Sequence, residues 1–150
     1  MPMSINSPRF NSIVVAPGGG ERLASLGVEI ALKAGSAQTD GQWVLLEYSA
    51  PPQFAGPPPH WHKQTTEIFY VLDGELSVQI DGDSRAIGAG GCVLVPPGVI
   101  HAFSNPHNAP ARFLLVASPA GLDHYFAELE SMTRSEPLWP PRDLTALRAL

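Results

Sequence analysis

The residues best suited to chemistry stand in one short stretch, PPPHWHKQTTE at 57–67. His60 and His62 are two residues apart, so both side chains leave the same face of an extended segment. Glu67 follows at the head of the apolar run IFYVL. A carboxylate from the next strand would complete a mixed nitrogen and oxygen site, of the kind that binds iron, manganese, nickel, copper or zinc. The alternative is that both histidines are surface residues beside a polyproline stretch.

A longer pattern of fixed spacings surrounds this stretch. The first part is His60-x-His62, Glu67 and Gly74, and the second is Gly90, Pro96-x-Gly98, His101 and Asn105. Here the chain resembles the cupins, which are small β-barrels of jelly-roll type. Their motif G-x5-H-x-H-x(3,4)-E-x6-G is matched from His60 onward, with only the leading glycine displaced to position 56. Their motif G-x5-P-x-G-x2-H-x3-N is matched without departure over 90–105.

The resemblance implies a set of metal ligands, namely His60, His62, Glu67 and His101. Three neutral imidazoles and one carboxylate would bind one divalent transition metal ion: iron, manganese, nickel, copper or zinc. Positions left open on an octahedral ion would receive water, substrate or O2. The sequence does not rank these metals.

The resemblance also suggests an activity. The segments around the two motifs are similar to single-domain cupins grouped with quercetin 2,3-dioxygenase. This implies a dioxygenase-like oxidoreductase for an aromatic or enolisable substrate, with Glu67 as the catalytic base. Two alternatives stay open: a non-catalytic cupin that binds a small ligand through the metal, and another cupin enzyme such as an isomerase or decarboxylase. An acidic substrate would need an inward-facing cation, for which Arg112 and Lys63 are the candidates.

The elements that must position these residues are short strands. Gly and Pro together make up about a fifth of the chain, with 14 and 16 residues, and the apolar runs before residue 120 are short. Strands are predicted at 11–16, 27–33, 42–49, 67–72, 75–80, 84–87, 92–95, 100–104 and 112–118. Apolar residues at helical spacing predict a helix over 121–133. We therefore expect one all-β domain over 1–150, with a jelly-roll barrel at 27–118 and a tail at 134–150 that contains a short helix at 143–149.

Strand alternation suggests which side chains line a pocket beside the metal. If Glu67 faces the interior, Phe69 and Val71 do so too, and Phe103 follows His101 inward. Neighbouring strands add further candidates, although their phase is open. These candidates are Trp43, Leu45, Phe113 and Leu115. Together the residues predict an apolar pocket for an aromatic or other hydrophobic small molecule.

Composition narrows the other partners and the location. The net charge is −5 and the nine Lys and Arg residues are scattered, so no nucleic-acid surface is expected. No apolar run reaches the roughly 18 residues of a membrane span. Cys92 is the single cysteine, and this fits a reducing compartment and a cytoplasmic protein. We expect Cys92 to lie in the core. A homodimer is expected as one possibility, with the outward-facing Trp61 as a contact.

Overall fold

The computed structural model describes residues 12–23, 25 and 27–135, and this part of the chain contains nine strands and two helices. In chain order they are β1 (Glu21–Leu23), β2 (Glu29–Ala34), α1 (Ser36–Thr39), β3 (Val44–Ala50), β4 (Thr66–Asp73), β5 (Glu75–Ile80), β6 (Asp83–Gly88), β7 (Cys92–Val95), β8 (His101–Ser104), β9 (Ala111–Ser118) and α2 (Leu122–Ser135). The predicted all-β class with a C-terminal helix is confirmed. No helix in these ranges is long and apolar enough to cross a membrane.

The strands form two antiparallel sheets. One sheet has six strands in the order β1-β2-β3-β9-β4-β7, and the other has three in the order β6-β5-β8. The segment before β4 extends the second sheet, because Phe54 pairs with Asn105 and His60 pairs with His101 beside β8. Aromatic side chains from both sheets pack together between them. This is the two-sheet arrangement of a jelly roll.

Strand alternation separates an inner from an outer face in the larger sheet. On β3 the buried residues are Val44, Leu46, Tyr48 and Ala50, and the residues between them are less buried. Register extends the inner face across the sheet, since Tyr48 lies opposite Phe113 and Leu46 lies opposite Leu115. Residues directly opposite in an antiparallel pair share a face. Glu67 lies opposite the buried Ala117 and therefore shares this inner face.

Three predictions made from the sequence are wrong. Trp43 precedes β3 and is 39% exposed, and Leu45 lies on the outer face, so neither lines the interior. Residues 12–16 form no strand, and Val14 is 98% exposed. Cys92 is exposed, because it alternates with the inward-facing Val93 on a short edge strand.

Other elements were not predicted, or cannot be compared. The sequence pattern missed the short strand β1 and the single helical turn α1. The proposed helix at 143–149 and most of the tail 134–150 lie outside the described residues, as does residue 11.

Helix α2 is fixed to the sheet by one apolar face and one carboxylate. Phe126 and Leu129 belong to the hydrophobic core. Asp123 accepts hydrogen bonds from the backbone nitrogen of Ser36 at 2.8 Å and from its hydroxyl at 2.7 Å. Burial alone would raise the pKa of Asp123, but these hydrogen bonds outweigh it and lower the pKa. The charged carboxylate thereby ties the start of α2 to α1.

Asn105 connects two loops, one after β3 and one after β8, at the end of the fold remote from Glu67. It is fully buried, and its Nδ2 donates to the carbonyl oxygens of Pro51 at 3.0 Å and Ala109 at 2.8 Å. Its Oδ1 accepts from the backbone nitrogen of His107 at 3.1 Å, and its own backbone nitrogen donates to Phe54 at 2.8 Å. One side chain therefore holds the segment before His60 against the loop after β8.

We expect Asn105→Ala to lower the free energy of unfolding by about 2–4 kcal/mol, because it removes a fully buried side chain and leaves several partly buried backbone groups without a partner. Urea denaturation followed by circular dichroism measures this. Asn108→Ala in the same loop is the control, since Asn108 is exposed and should change stability by no more than about 0.5 kcal/mol. Equal losses for the two variants would contradict a role for Asn105 as the connection between the loops.

Candidate metal centre

Backbone hydrogen bonds bring the two parts of the sequence pattern together. The nitrogen of His60 donates to the carbonyl of His101 at 2.9 Å, and the nitrogen of His101 donates to the carbonyl of His60 at 2.8 Å. Gly98 continues the pairing by donating to the carbonyl of His62 at 2.8 Å. This reciprocal pair sets the two imidazole ring centres 4.4 Å apart.

Close backbone approach makes this pairing possible. Gly56 has φ of +72°, and a Cβ built on it would lie 1.6 Å from the carbonyl oxygen of Phe103. Only glycine fits there, because both the conformation and the space exclude a side chain. The leading glycine of the motif, although displaced to position 56, allows the segment before His60 to lie against β8.

Four potential ligands converge at the end of the inner face. His60, His62, Glu67 and His101 each offer one atom, and these atoms lie within 4.8 Å of one another. The inner two residues are buried, with Glu67 3% and His101 1% exposed, and the outer two are partly buried. An ion held here would be enclosed on one side and accessible on the other.

Carbonyl groups fix the imidazole tautomers. His60 Nδ1 lies 2.9 Å from the carbonyl oxygen of Pro58, and His101 Nδ1 lies 3.0 Å from that of Val99. A carbonyl oxygen only accepts, so Nδ1 of each ring must carry hydrogen. This leaves Nε2 of each ring as the atom for a metal, in the orientation that such outer hydrogen bonds give to histidine ligands.

Charge in the cluster is balanced between Glu67 and His101. Glu67 Oε2 lies 2.7 Å from His101 Nε2, while Oε1 lies 3.3 Å from His62 Nε2. Burial would raise the pKa of Glu67, but the hydrogen bond and positive charge of the imidazoles hold it at about 2. Burial would lower the pKa of His101, but its hydrogen bond to Glu67 raises it. His101 Nε2, the atom that would bind an ion, thus lies against Glu67 Oε2.

The donor set fits a transition metal. His62 Nε2 is buried and has no hydrogen-bond partner among the described residues, although it lies 3.3 Å from Glu67 Oε1. A buried nitrogen without a partner is unfavourable, and coordination would satisfy it. Burial, as the main cause, lowers the pKa of His60, which keeps this ring neutral and able to coordinate. Imidazole and carboxylate together suit iron, manganese, nickel, copper or zinc.

Aromatic side chains surround the inner end of the cluster. Phe69 lies 6.4 Å from the ring of His101 and 5.3 Å from that of Phe103, which in turn lies 5.6 Å from Phe113. The remaining inward-facing candidates, Val71 and Leu115, are also buried. Five of the seven predicted pocket residues thus belong to the interior. Their contact with a ligand stays a prediction.

The sequence pattern did not predict Tyr48 as an interior residue. It faces the interior from β3, whereas Leu45 was the predicted interior residue of that strand. A signal was available, because Glu47 and Ser49 are polar and mark the outer phase of β3. Glu47 is indeed bound there by Lys33 at 3.3 Å and Arg112 at 3.0 Å.

One surface groove lies away from this cluster. It measures about 550 Å³ and is lined mainly by Gly27–Glu29, Ser49–Pro52 and Pro110, at the opposite end of β3 and β9 from Glu67. It contains no group suited to catalysis apart from the exposed Glu29.

Comparison with known proteins agrees with this geometry. Residues 46–117 match the cupin domain family. The domain is a cupin. KdgF from Halomonas sp. has the same fold, with a TM-score of 0.66 at 16% identity over 76% of this chain and 99% of that structure. The predicted cupin jelly roll is therefore confirmed.

Two curated relatives of the cupin are oxidoreductases by name. The probable oxidoreductase virH of Hypocrea virens is 36% identical over 100 residues, or 61% of this chain and 46% of the relative. Quercetin 2,3-dioxygenase of Bacillus subtilis is 29% identical over 90 residues, or 60% of this chain and 26% of the relative. The chain thus spans less than half the length of either relative.

Removal of one ligand tests the centre. We expect the wild-type protein to bind one divalent ion per chain, and His62→Ala to weaken metal affinity by at least about a hundredfold. Residues that only hydrogen-bond to a metal ligand already contribute about 10- to 100-fold to affinity, and a ligand should contribute more. Calorimetric titration of chelator-treated protein with Ni²⁺ or Co²⁺ measures this. His107→Ala is the matched control, because His107 lies in a loop and contacts Glu75. A wild-type protein that takes up no metal would refute the assignment.

Proposed function

We propose that this cupin is a metal-dependent, dioxygenase-like oxidoreductase that acts on an aromatic or enolisable small molecule. The observation that carries the proposal is the convergence of three imidazoles and one carboxylate within 4.8 Å at the end of an aromatic interior. The names of the two curated relatives support an oxidoreductase. Neither relative is matched over its full length, so the activity is proposed from the site of this chain.

His60, His62, Glu67 and His101 would hold one divalent transition metal ion. When bound, such an ion supplies Lewis acidity that lowers the pKa of a substrate hydroxyl, and most of the candidate metals also supply a redox centre. The partly exposed His60 and His62 leave the outer side of the cluster accessible to substrate and O2.

Glu67 is the group suited to accept the substrate proton. Its two oxygens lie beside the imidazoles, with Oε2 2.7 Å from His101 Nε2 and Oε1 3.3 Å from His62 Nε2. A proton acceptor must come within hydrogen-bond reach of the group that it deprotonates. With one of its oxygens on the ion, the other would be the atom that accepts the substrate proton. The surrounding phenyl groups would exclude water and strengthen electrostatic interactions with the resulting anion.

Charge in the interior favours a substrate without carboxylate or phosphate groups. Among the described residues, the buried polar or charged residues are Thr39, Glu67, His101 and Asn105, so no Lys or Arg is included. Arg112 is engaged by Glu47 on the outer face, and Lys63 is exposed. An acidic substrate would therefore have only the bound ion as a cationic partner in the interior. The lack of a buried Lys or Arg favours a neutral aromatic or enolisable substrate over a small acid.

Substitution of the proposed base should separate catalysis from metal binding. We expect Glu67→Gln to reduce turnover by at least about a hundredfold, within the range of general base catalysis, while three imidazoles retain part of the metal. Oxygen uptake with metal content measured on the same sample tests this. Glu75→Gln on the surface is the control, as it preserves the cluster. Full activity of Glu67→Gln would exclude the proposed role.

Oxygen consumption distinguishes an oxygenase from a binding protein. We expect protein reconstituted with one of the candidate metals to consume O2 in the presence of quercetin or another enolisable aromatic compound, and the chelator-treated protein not to do so. Tight ligand binding without O2 uptake for every metal would indicate a non-catalytic cupin instead. A homodimer also stays a prediction, for which the 57% exposed Trp61 is a candidate contact.

A further inference from the structure

The outer face of the larger sheet carries apolar side chains on three neighbouring strands. The outward residues of β4 are Ile68, Tyr70 and Leu72, of which Tyr70 is 43% and Leu72 is 37% exposed. The outward residues of the edge strand β7 are Cys92 and Leu94, and Leu94 is 59% exposed. None of these five residues is Asp, Glu, Lys or Arg. An antiparallel sheet normally turns polar residues toward water, so this composition indicates a face that is covered.

Strand register joins these side chains into one continuous patch. Ile68 lies opposite Leu94 on β7 and Val116 on β9, and Tyr70 lies opposite Leu114 on β9. Residues directly opposite in an antiparallel pair share a face and lie in contact distance. We call this patch the apolar face, and it consists of Ile68, Tyr70, Leu72, Leu94, Leu114 and Val116.

The outer face of the smaller sheet has the opposite composition. The outward residues of β5 are Ser77 and Gln79, which alternate with buried apolar residues. Register places Ser104 opposite Ser77 and Ser84 opposite Gln79. Both sheets enclose the same core, yet only the smaller one turns short polar side chains outward. An exposed apolar patch on one of two such faces is typical of a surface that binds protein.

The described part of the chain, 12–23, 25 and 27–135, covers only the opposite end of the larger sheet. Lys33 on β2 donates to the carbonyl oxygen of Gly19 at 2.6 Å. A Cβ built on Gly20 would lie 3.5 Å from the Cβ of Ala31, which is 2% exposed. The segment around Gly19 therefore lies on β2, and the apolar face on β9, β4 and β7 stays exposed or half-buried among the described residues.

Charge indicates which partner fits the apolar face. The chain has a net charge of −5, so two copies repel each other unless they meet through an uncharged surface. At the border of the apolar face Arg112 is neutralised by Glu47 at 3.0 Å. Anionic membranes and nucleic acids are attracted by clustered Lys and Arg, and the face itself has neither. The same face of another copy is uncharged and is self-complementary, as a two-fold interface requires.

We propose that the apolar face packs against the same face of a second copy of this chain in a two-fold dimer. Sheets pack face to face at about 10 Å, with interdigitated side chains. Glu67 lies on the opposite side of β4, so the dimer leaves the metal centre accessible and does not depend on the proposed reaction.

The size of the apolar face sets the strength of the dimer. Three strands and three outward residues along β4 span roughly 15 by 20 Å, or about 300 Å². A polar rim brings such a core to about 500–600 Å² per partner, which is the lower limit for a specific interface. We therefore expect a dissociation constant on the order of 10 μM.

Sedimentation velocity of the full chain, from about 1 to about 500 μM, brackets this constant and provides the test. We expect Leu94→Glu to weaken dimerisation by at least about a hundredfold, because the two-fold axis brings two carboxylates into one apolar interface. Trp61→Glu is the matched control and should dimerise like the wild type. Trp61 is 57% exposed but lies between His60 and His62 on the segment that extends the smaller sheet.

Cys92 provides a second measurement that needs no substitution. It lies opposite Tyr70 beside the apolar face, is exposed and is the single cysteine of the chain. Its reaction with excess N-ethylmaleimide is followed by mass spectrometry at the lowest and highest protein concentrations. For the wild type we expect the rate at the highest concentration to be about tenfold lower, in proportion to the remaining monomer. The rate for Leu94→Glu should be nearly the same at both concentrations.

Three results would overturn the proposal. A wild type that is monomeric at every concentration would leave the apolar face to a different partner. A wild-type dimer in which Cys92 stays fully reactive would place the interface elsewhere. Equal dimerisation of Leu94→Glu and Trp61→Glu, whether both are weakened or neither is, would also exclude the apolar face. If circular dichroism shows that Leu94→Glu does not fold, the concentration dependence of Cys92 in the wild type decides.

Discussion

The site depends on one reciprocal pair of backbone hydrogen bonds between His60 and His101. These two bonds, at 2.9 and 2.8 Å, join a segment without regular structure to the first residue of β8. These bonds fix the distance between the ligands of the first motif, which include His60, and the ligand of the second motif, which is His101. The displaced Gly56 and the buried Asn105 both serve this pairing, since one allows the backbones to approach and the other holds the loops beyond them.

Burial of Glu67 sets the second constraint. A carboxylate that is 3% exposed is unfavourable unless charged or donating neighbours offset the loss of water. His101 supplies that compensation directly, and His62 stands beside the other oxygen. The polar cluster and the aromatic interior therefore require each other. The phenyl groups lower the local polarity, and this strengthens the ion pair. The ion pair in turn permits a carboxylate on the inner face of β4.

Much of this arrangement could be predicted because spacing determines it. His60 and His62 must share a face at a separation of two residues, and turn glycines delimit β4 and β5. The phase of β3 could not be predicted from apolar character alone, because Trp43 and Leu45 are as apolar as Val44 and Leu46. The registers of β2 and β9 decide between them. Residues 13–16 are apolar but pair with no strand in the described part of the chain, and β propensity without a partner strand does not make a strand.

The internal pairing of Glu67 with His101 has a consequence for how the protein acquires its ion. A cluster that neutralises itself keeps its shape through the core of the two sheets, as opposed to small zinc domains, which need their ion in order to fold. The exposed side of His60 and His62 is where an ion would arrive, and His101 Nε2 must be free of a proton in order to coordinate it. Metal binding at this cluster would then depend on pH. The cell's supply of metals, as well as the ligand set, would decide which ion the folded chain carries.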